Sequence, residues 1–457
     1  MKHELKTIGH ATLVVLEDGE PLVATDPWLI GSVYWRSWWL EKYPTADELD
    51  LVRQVRQLYL THSHPDHFHW PTLRQVGPRP ILHARFPRFD VAEFLDQNGY
   101  PARALEPWQW YAVSEHVRIA SVPIPIDDSV LVIDTPHTTV VNLNDSMPRA
   151  ALLRYLRKRL LIPGKPVVAL KSYAPASVAV SMFRNGQRDV MKRKEDYVKT
   201  AQLVAEGVGA TDFVPFASQA FFDRADSRWA NDFKVVYEDL AQQWNSKSVR
   251  LCPPFITMDL ETRGYTSGYQ GVKRSLEPAD ARKVSAREAE EAQFRLPEDF
   301  DARLGGYLKE VYGLRWLLRR GIGWRLTTSN TERFFNSRTR EIEHRIPADY
   351  DMVISLPDKV LDESLHNNVL TDLGITMFIR VDTQVSTRLA YGAFLLFGLH
   401  DYGHFNGLRR VLAFARFYAP YFYPAVWRLR DVLNGRSRAA AAVVLPTGRR
   451  RDQPQAS

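Results

Sequence analysis

Thr61-His62-Ser63-His64-Pro65-Asp66-His67 follows directly on the apolar run Leu58-Tyr59-Leu60. A short apolar run that stops at a polar turn reads as a buried strand giving way to a loop. Such a loop can aim several side chains at one point. Imidazole nitrogens and carboxylate oxygens are the donors that suit Zn²⁺, Fe²⁺ or Mn²⁺. A solvated loop has no use for three imidazoles and a carboxylate so close together. His62, His64, Asp66 and His67 are therefore the first candidates for metal ligands.

Working outward, residues 13–16 and 21–24 read as two strands joined by the turn Glu17-Asp18-Gly19-Glu20. Further strands are expected at 81–83, 117–122, 130–133, 140–143, 167–170, 213–216 and 249–251. Helical stretches fall at 72–76, 150–161, 189–206 and 230–244. Short strands alternating with helices predict sheet layers covered by helices. The character changes near Gly264. Residues 1–264 are expected to form the catalytic domain and 265–300 a charged linker with an exposed helix at 279–293. Residues 301–436 are read as an accessory α+β domain, with strands at 350–356 and 376–381 and a long aromatic helical region at 387–433. The stretch 437–457 has the composition of a disordered tail.

Composition bounds the function. A chain of 457 residues with 45% apolar residues has material for two or three ordinary cores. The net charge of +7 is spread without a basic, aromatic-interleaved stripe, which argues against a nucleic-acid partner. A single cysteine, Cys252, rules out an internal disulfide framework and a cysteine-built zinc or iron–sulfur site. The N-terminus lacks the apolar core of a signal peptide. The longest apolar stretch, 390–399, falls short of the ~20 residues of a membrane span. A cytoplasmic protein with no transmembrane segment is expected.

The motif His62-x-His64-x-Asp66-His67 resembles the first metal motif of the metallo-β-lactamase superfamily. That resemblance implies a four-layer αββα sandwich (α/β) with one or two metals at the sheet edges. It places His62 and His64 on the first metal and Asp66 and His67 on the second. It implies a bridging carboxylate after a later strand, where Val140-Val-Asn-Leu-Asn-Asp145 puts Asp145. Ala24-Thr-Asp26-Pro-Trp resembles the family's early Asp, which supports the ligands from behind, as outer carboxylates commonly do. Thr25-Asp-Pro-Trp-Leu, Tyr34-Trp-Arg-Ser-Trp-Trp and Val214-Pro-Phe-Ala are similar to the catalytic region of CMP-N-acetylneuraminate hydroxylase and its bacterial relatives, over roughly residues 5–263. Ser172-Tyr-Ala-Pro-Ala-Ser and Pro254-Phe-Ile-Thr-Met-Asp-Leu fit the same group.

The pattern then breaks. The family's third histidine for the first metal is missing from Pro123-Ile-Pro-Ile-Asp127-Asp128-Ser129, and no histidine lies between His137 and His344. In one reading carboxylates replace the imidazoles, Asp128 or Asp127 at the first metal and Asp226 or Asp223 at the second. In the other, one metal or none binds strongly. The family points to Zn²⁺; an oxygen-rich shell shifts the preference toward Fe²⁺ or Mn²⁺. His10 is a candidate for the site or for the core, and Trp35, Trp38 and Trp39 for the substrate entrance. His69, His116 and His137 are read as peripheral, and His400-Asp401-Tyr-Gly-His404 as polar positions on an aromatic helix.

Three functions remain open. The first is a metal-dependent hydrolase acting on a small ester, amide, lactone or phosphoester, with Asp66 orienting a metal-activated water. The second is an iron-dependent oxygenase of a nucleotide sugar or other small molecule. The family hydroxylase draws electrons through a Rieske cluster of two Cys and two His, so a chain with one Cys would need a separate ferredoxin. The third is a binding protein with a degenerate site. Against it, the four clustered donors have no evident structural use.

Overall fold

The structure, a computed structural model, describes residues 1–272, 275–422 and 443–444. The expected disordered tail, apart from Val443 and Val444, and the end of the aromatic region beyond 422 lie outside the described residues.

Two eight-stranded sheets face each other. Strands Asp128–Asp134 and Val167–Lys171 show why. Successive strand residues point to opposite faces, and here both faces are apolar. Leu131, Ile133, Val168 and Leu170 point inward, to a core shared with Leu13, Val15, Leu22 and Leu82 of the first sheet. Val130, Val132, Val167 and Ala169 point outward, under helices Ala150–Leu160 and Lys194–Val208. The first sheet repeats the arrangement. Leu58 and Leu60 face outward to Val52 and Leu73 of helices Ala46–Gln54 and Trp70–Val76. Tyr59 between them faces inward and reaches Ser121 and Ser129 of the opposite sheet at 2.6 and 2.9 Å. Each fully buried Val or Leu contributes roughly 1.5–3 kcal/mol. The layers are αββα, as the sequence predicts.

A third, seven-stranded sheet holds Gly321–Leu326, Thr331–Asn336, Ile342–Glu343, Met352–Leu356 and Arg380–Thr383. Its last two strands, Met182–Arg184 and Gln187–Arg188, come from the N-terminal half of the chain, between strands of the sandwich. Met182–Arg184 runs parallel to Arg380–Thr383. The charged stretch after Gly264 contributes a strand, Tyr265–Ser267, that pairs with Ile256–Asp259, and the helix Pro278–Gln293.

The aromatic helical region is interrupted. Helix Thr387–Asp401 ends and Leu408–Phe422 begins after a loop containing Gly403 at φ 71° and Gly407 at φ 124°. These are left-handed conformations that glycine adopts without strain. The second helix leaves its own sheet and packs Tyr418 and Tyr421 into the outer core of the second sandwich sheet. The helix expected at 230–244 is likewise split, into a 3₁₀ turn Arg228–Asp232 and a helix Tyr237–Gln243.

Candidate metal centre

Strand Gln57–Leu60 is buried throughout, and Thr61 is the first residue past its end. The neighbouring parallel strand Glu20–Thr25 ends one step earlier, which sets Asp26 beside Thr61. The Asp26 carboxylate accepts the Thr61 N–H at 2.8 Å and the Thr61 hydroxyl at 2.7 Å. Past Thr61 the chain turns tightly, the amides of His67 and Phe68 both donating to the His64 carbonyl. His10 arrives from strand His3–Ile8 through Gly9. Gly9 has φ 59°, and a Cβ there would sit 3.1 Å from the Trp28 carbonyl oxygen, so glycine suits this approach. Asp145 follows Thr139–Asn144, whose pairing is bulged between Asn142 and Asn144. Bulges of this kind re-aim side chains beside active sites.

These loops bring together two donor groups. His62, His64 and Asp145 form one; His10, Asp66 and His67 form the other. Within each, the potential ligand atoms lie within 4.8 Å of one another. Nε2 of His62 and Nδ1 of His64 are 2.8 Å apart. Asp145 faces both groups, with Oδ2 3.8 Å from His62 Nε2 and Oδ1 3.9 Å from His67 Nε2. The arrangement fits a pair of metal ions with Asp145 between them. The decisive observation is two buried polar atoms at the cluster without a hydrogen-bond partner: His67 Nε2 and Asp145 Oδ1. An orphaned buried polar atom costs about 1–3 kcal/mol, and a bound cation relieves that cost for a lone-pair donor.

In His62, His64 and His67 the nitrogens turned away from the cluster are partnered. His67 Nδ1 lies 3.1 Å from Asp26 Oδ2. His62 Nδ1 lies 3.1 Å from the Thr61 hydroxyl, which itself donates to Asp26. One buried carboxylate thus orients two imidazoles. His64, with Nδ1 toward the cluster, meets the Tyr402 hydroxyl through Nε2 at 2.9 Å. Asp66 Oδ1 accepts the Tyr34 hydroxyl at 2.6 Å. Tyr34, Trp35 and Arg36 are three successive left-handed residues, at φ 50°, 53° and 64°. Strain of this kind persists where the surroundings over-determine the backbone. We expect Tyr402→Phe to weaken metal binding ~10–100-fold, the usual cost of removing an outer partner of a ligating histidine. Competition with a chromophoric chelator measures it; unchanged affinity would mean that Tyr402 only packs.

The electrostatics follow from burial and from the carboxylates. Burial pushes the pKa of His62 well below the ordinary imidazole value, and the His67 charge pushes it further. His64 is lowered for the same first reason. At His67 burial opposes the charge, but Asp66, Asp145 and Asp26 together outweigh it and hold its pKa well above the ordinary value. Burial opposes ionisation of Asp66 as well, yet His67 and His10 draw it well below the carboxylate range. In the metal-free protein at neutral pH, then, His67 carries a proton that a metal must displace. Metal affinity is expected to rise with pH until the His67 pKa is passed, by about tenfold per pH unit for one proton released. Calorimetric titration in two buffers of different ionisation enthalpy counts that proton; a count of zero would contradict the charged His67.

The other sequence candidates divide. Asp128 stands behind His62, 3.5 Å from its outer nitrogen, and accepts from the Ser129 amide and the Asn144 side chain. Asp127 turns away, to His404 Nε2 and the Tyr418 hydroxyl, both at 2.6 Å. Asp226 and Asp223 do not reach the cluster; Asp226 pairs with the buried Arg224 and Asp223 with Arg228. The second group is completed instead by His10. Of the three tryptophans only Trp38 lines the cavity, with its ring 6.0 Å from His10. Trp35 is held by Glu363, and Trp39 is fully buried with its indole N–H on the Arg36 carbonyl. His69 bonds Thr72 at the start of its helix, His116 packs against His3, and His137 is exposed. The loop between the two aromatic helices, read as ordinary helix, supplies both Tyr402 and His404. Lys171 also went unread. It is buried at the end of its strand, donates to the Ser146 carbonyl at 2.8 Å, and burial lowers its pKa to about 8. A cavity of about 610 Å³ opens onto the cluster at His10, His64, Asp66 and Asp145.

An αββα sandwich with His-x-His-x-Asp-His at a strand end and a shared Asp beyond a later strand is decisive for the fold. The chain has the metallo-β-lactamase fold. No family model matches it. Its sequence is similar to CMP-N-acetylneuraminic acid hydroxylases. It is 43% identical to the Asterias rubens protein over 61 residues, 13% of this chain and 9% of that one. It is 25% identical to the inactive human protein over 195 residues, 40% and 37% of the two chains. The Xenopus laevis protein matches at 25% over 222 residues, 44% and 36%. The matched segment thus spans little more than a third of these relatives at most. Among solved structures, a metallo hydrolase from Ignicoccus hospitalis aligns with a TM-score of 0.39 at 17% identity, covering 57% of this chain and 98% of that one. The diiron β-hydroxylase CmlA from Streptomyces venezuelae aligns with a TM-score of 0.32 at 16% identity, covering 47% and 44%. As a metallo-β-lactamase-fold protein the chain departs from the family pattern in its first position, where no third imidazole stands.

Proposed function

We propose that the protein is an iron-dependent hydroxylase of a small molecule. The observation that carries this reading is the donor set: each group has two imidazoles and one carboxylate, and Asp145 of the first group also faces the second. Open two-histidine, one-carboxylate centres are the sites that non-haem iron oxygenases use. The similarity to hydroxylases over some two hundred residues supports the same reading. Bound iron would supply activation of O₂. The chain's own residues do the rest. Asp26, Asp128 and Tyr402 hold the imidazoles in the ligating orientation. Tyr34 holds Asp66, and the cavity walls keep bulk water from the reacting atoms. Hydroxylation takes up O₂, two electrons and two protons, places one oxygen atom in a C–H bond and releases the other as water. The electrons come from a separate donor protein of the ferredoxin class, which fits a cytoplasmic location. Among the described residues no helix is long and apolar enough to cross a membrane.

Metal-dependent hydrolysis is the second reading. It is favoured by Asp66, whose depressed pKa keeps it anionic and able to orient a metal-bound water. Metal analysis separates the two. Protein purified without added metal is assayed for iron and zinc, then reduced without oxygen and mixed with O₂. About two irons per chain and O₂ uptake are expected for paired centres of this type. Zinc occupancy, with no O₂ uptake after loading with iron, would overturn the hydroxylase reading.

A further inference from the structure

The cavity at the cluster has an uneven charge inventory. Among the described residues the only acidic ones in its lining are Asp66 and Asp145, and both belong to the donor groups. Three cations line it as well: Lys171, Lys192 and Arg388. None of the three has a carboxylate partner at ion-pair distance among the described residues. Lys192 rests over the Tyr197 ring, with Nζ 5.5 Å from its centroid. Arg388 is exposed at the rim, in the first turn of helix Thr387–Asp401, where the helix N-terminus adds to the positive potential. The rest of the wall is mainly apolar and includes Val178, Met191, Phe394 and Leu395. Leu395 and Met147 of this lining are 40% and 58% exposed and offer apolar surface to a ligand. The hydroxyls nearest the cluster are committed, Tyr34 to Asp66 and Tyr402 to His64.

We infer that the substrate is an amphiphilic acid, whose carboxylate or phosphate sits between Lys192 and Arg388 while its apolar body runs along Val178, Met191, Phe394 and Leu395 toward the cluster. This rests on the metal-centre reading only for the direction in which the body points. A volume of about 610 Å³ lies in the ordinary range for small-molecule sites, about 300–1000 Å³. A long-chain fatty acid and a lipid phosphate share this chemistry. The deep Lys171 has donated to Ser146 and Ser172 and keeps one N–H for a substrate oxygen near the cluster.

Direct binding to the full chain tests the inference, with calorimetry as readout. The probes are decanoate, decyl phosphate, decanol and CMP. Decanoate or decyl phosphate is expected to bind at least tenfold more tightly than decanol and CMP, and the tighter of the two acids identifies the head group. The double variant Lys192→Ala, Arg388→Ala is expected to lose about tenfold or more for the acids, the scale of hydrogen bonds to charged groups, and nothing for decanol. Leu395→Glu, at a half-exposed position, is expected to weaken all three alkyl probes. Equal binding of decanoate and decanol, no effect of the double variant, or CMP binding more tightly than the acids would each overturn the inference. Titrations are run with metal and with chelator, and the metal content of each variant is recorded. Failure of the metal-centre reading appears in the metal analysis; failure of this one appears in probe binding by protein with normal metal content.

Discussion

Asp145→Asn is expected to strip both metal positions and abolish turnover while the apo fold stays as it is. Asp145 is the one carboxylate facing both groups, 3.8 Å from His62 Nε2 and 3.9 Å from His67 Nε2. Its Oδ1 is buried without a hydrogen-bond partner, so no hydrogen bond to that oxygen is lost with the charge, only its attraction for His67. The amide keeps the shape and removes the anion that would balance two cations. Loss of a shared ligand should exceed the ~10–100-fold that removal of an outer partner costs. Metal content after dialysis measures it. Both proteins should then be melted in excess chelator, because a bound metal stabilises the folded state by mass action and would otherwise confuse the comparison. Full metal occupancy in the variant would mean that the bulged end of Thr139–Asn144 is only a turn.

Arg224→Ala is expected to give the largest loss of stability, about 3–5 kcal/mol, the cost of stranding one partner of a buried ion pair. Arg224 is 1% exposed. Its guanidinium donates to Asp226, to Glu291 of helix Pro278–Gln293 and to the Trp35 carbonyl, and it lies 4.4 Å from the centre of the Phe378 ring. The substitution leaves Glu291 buried with Arg287 alone, which places the loss toward the lower end of the range. It also frees the left-handed turn at Tyr34–Arg36, so the Tyr34 bond to Asp66 should loosen and metal affinity fall with stability. Chemical denaturation measures the first effect and chelator competition the second. A loss below ~1 kcal/mol, the level of an exposed ion pair, would show that water replaces Arg224 at no great cost.

What could be read from the sequence is what is encoded locally. His62, His64, Asp66 and His67 sit in one tight turn at a strand end, so their order along the chain nearly dictates their convergence. Asp26 and Asp145 were legible only through the family resemblance, which places a carboxylate after each of two strands. Asp226 misled because a carboxylate's partner is set by the fold. Arg224, two residues before it, takes both of its oxygens in the folded chain. Tyr402 and His404 were hidden by an aromatic periodicity that runs across their loop; Gly403 and Gly407 were the only signs of a break. The strands Gly321–Leu326 and Thr331–Asn336 escaped notice because glycine interrupts the first and charged residues the second. Gly323 is required by packing rather than by the strand itself, since a Cβ there would come within 2.9 Å of Val353.

The pairing of Met182–Arg184 with Arg380–Thr383 has a consequence for how this chain comes into being. On a ribosome the catalytic half emerges long before the strand that its own edge awaits. Until then Val178 and Met182 belong to a core that does not yet exist. Contacts so distant in sequence slow folding, and a waiting edge strand invites the wrong neighbour. A truncation after the sandwich should therefore aggregate rather than yield a small folded protein.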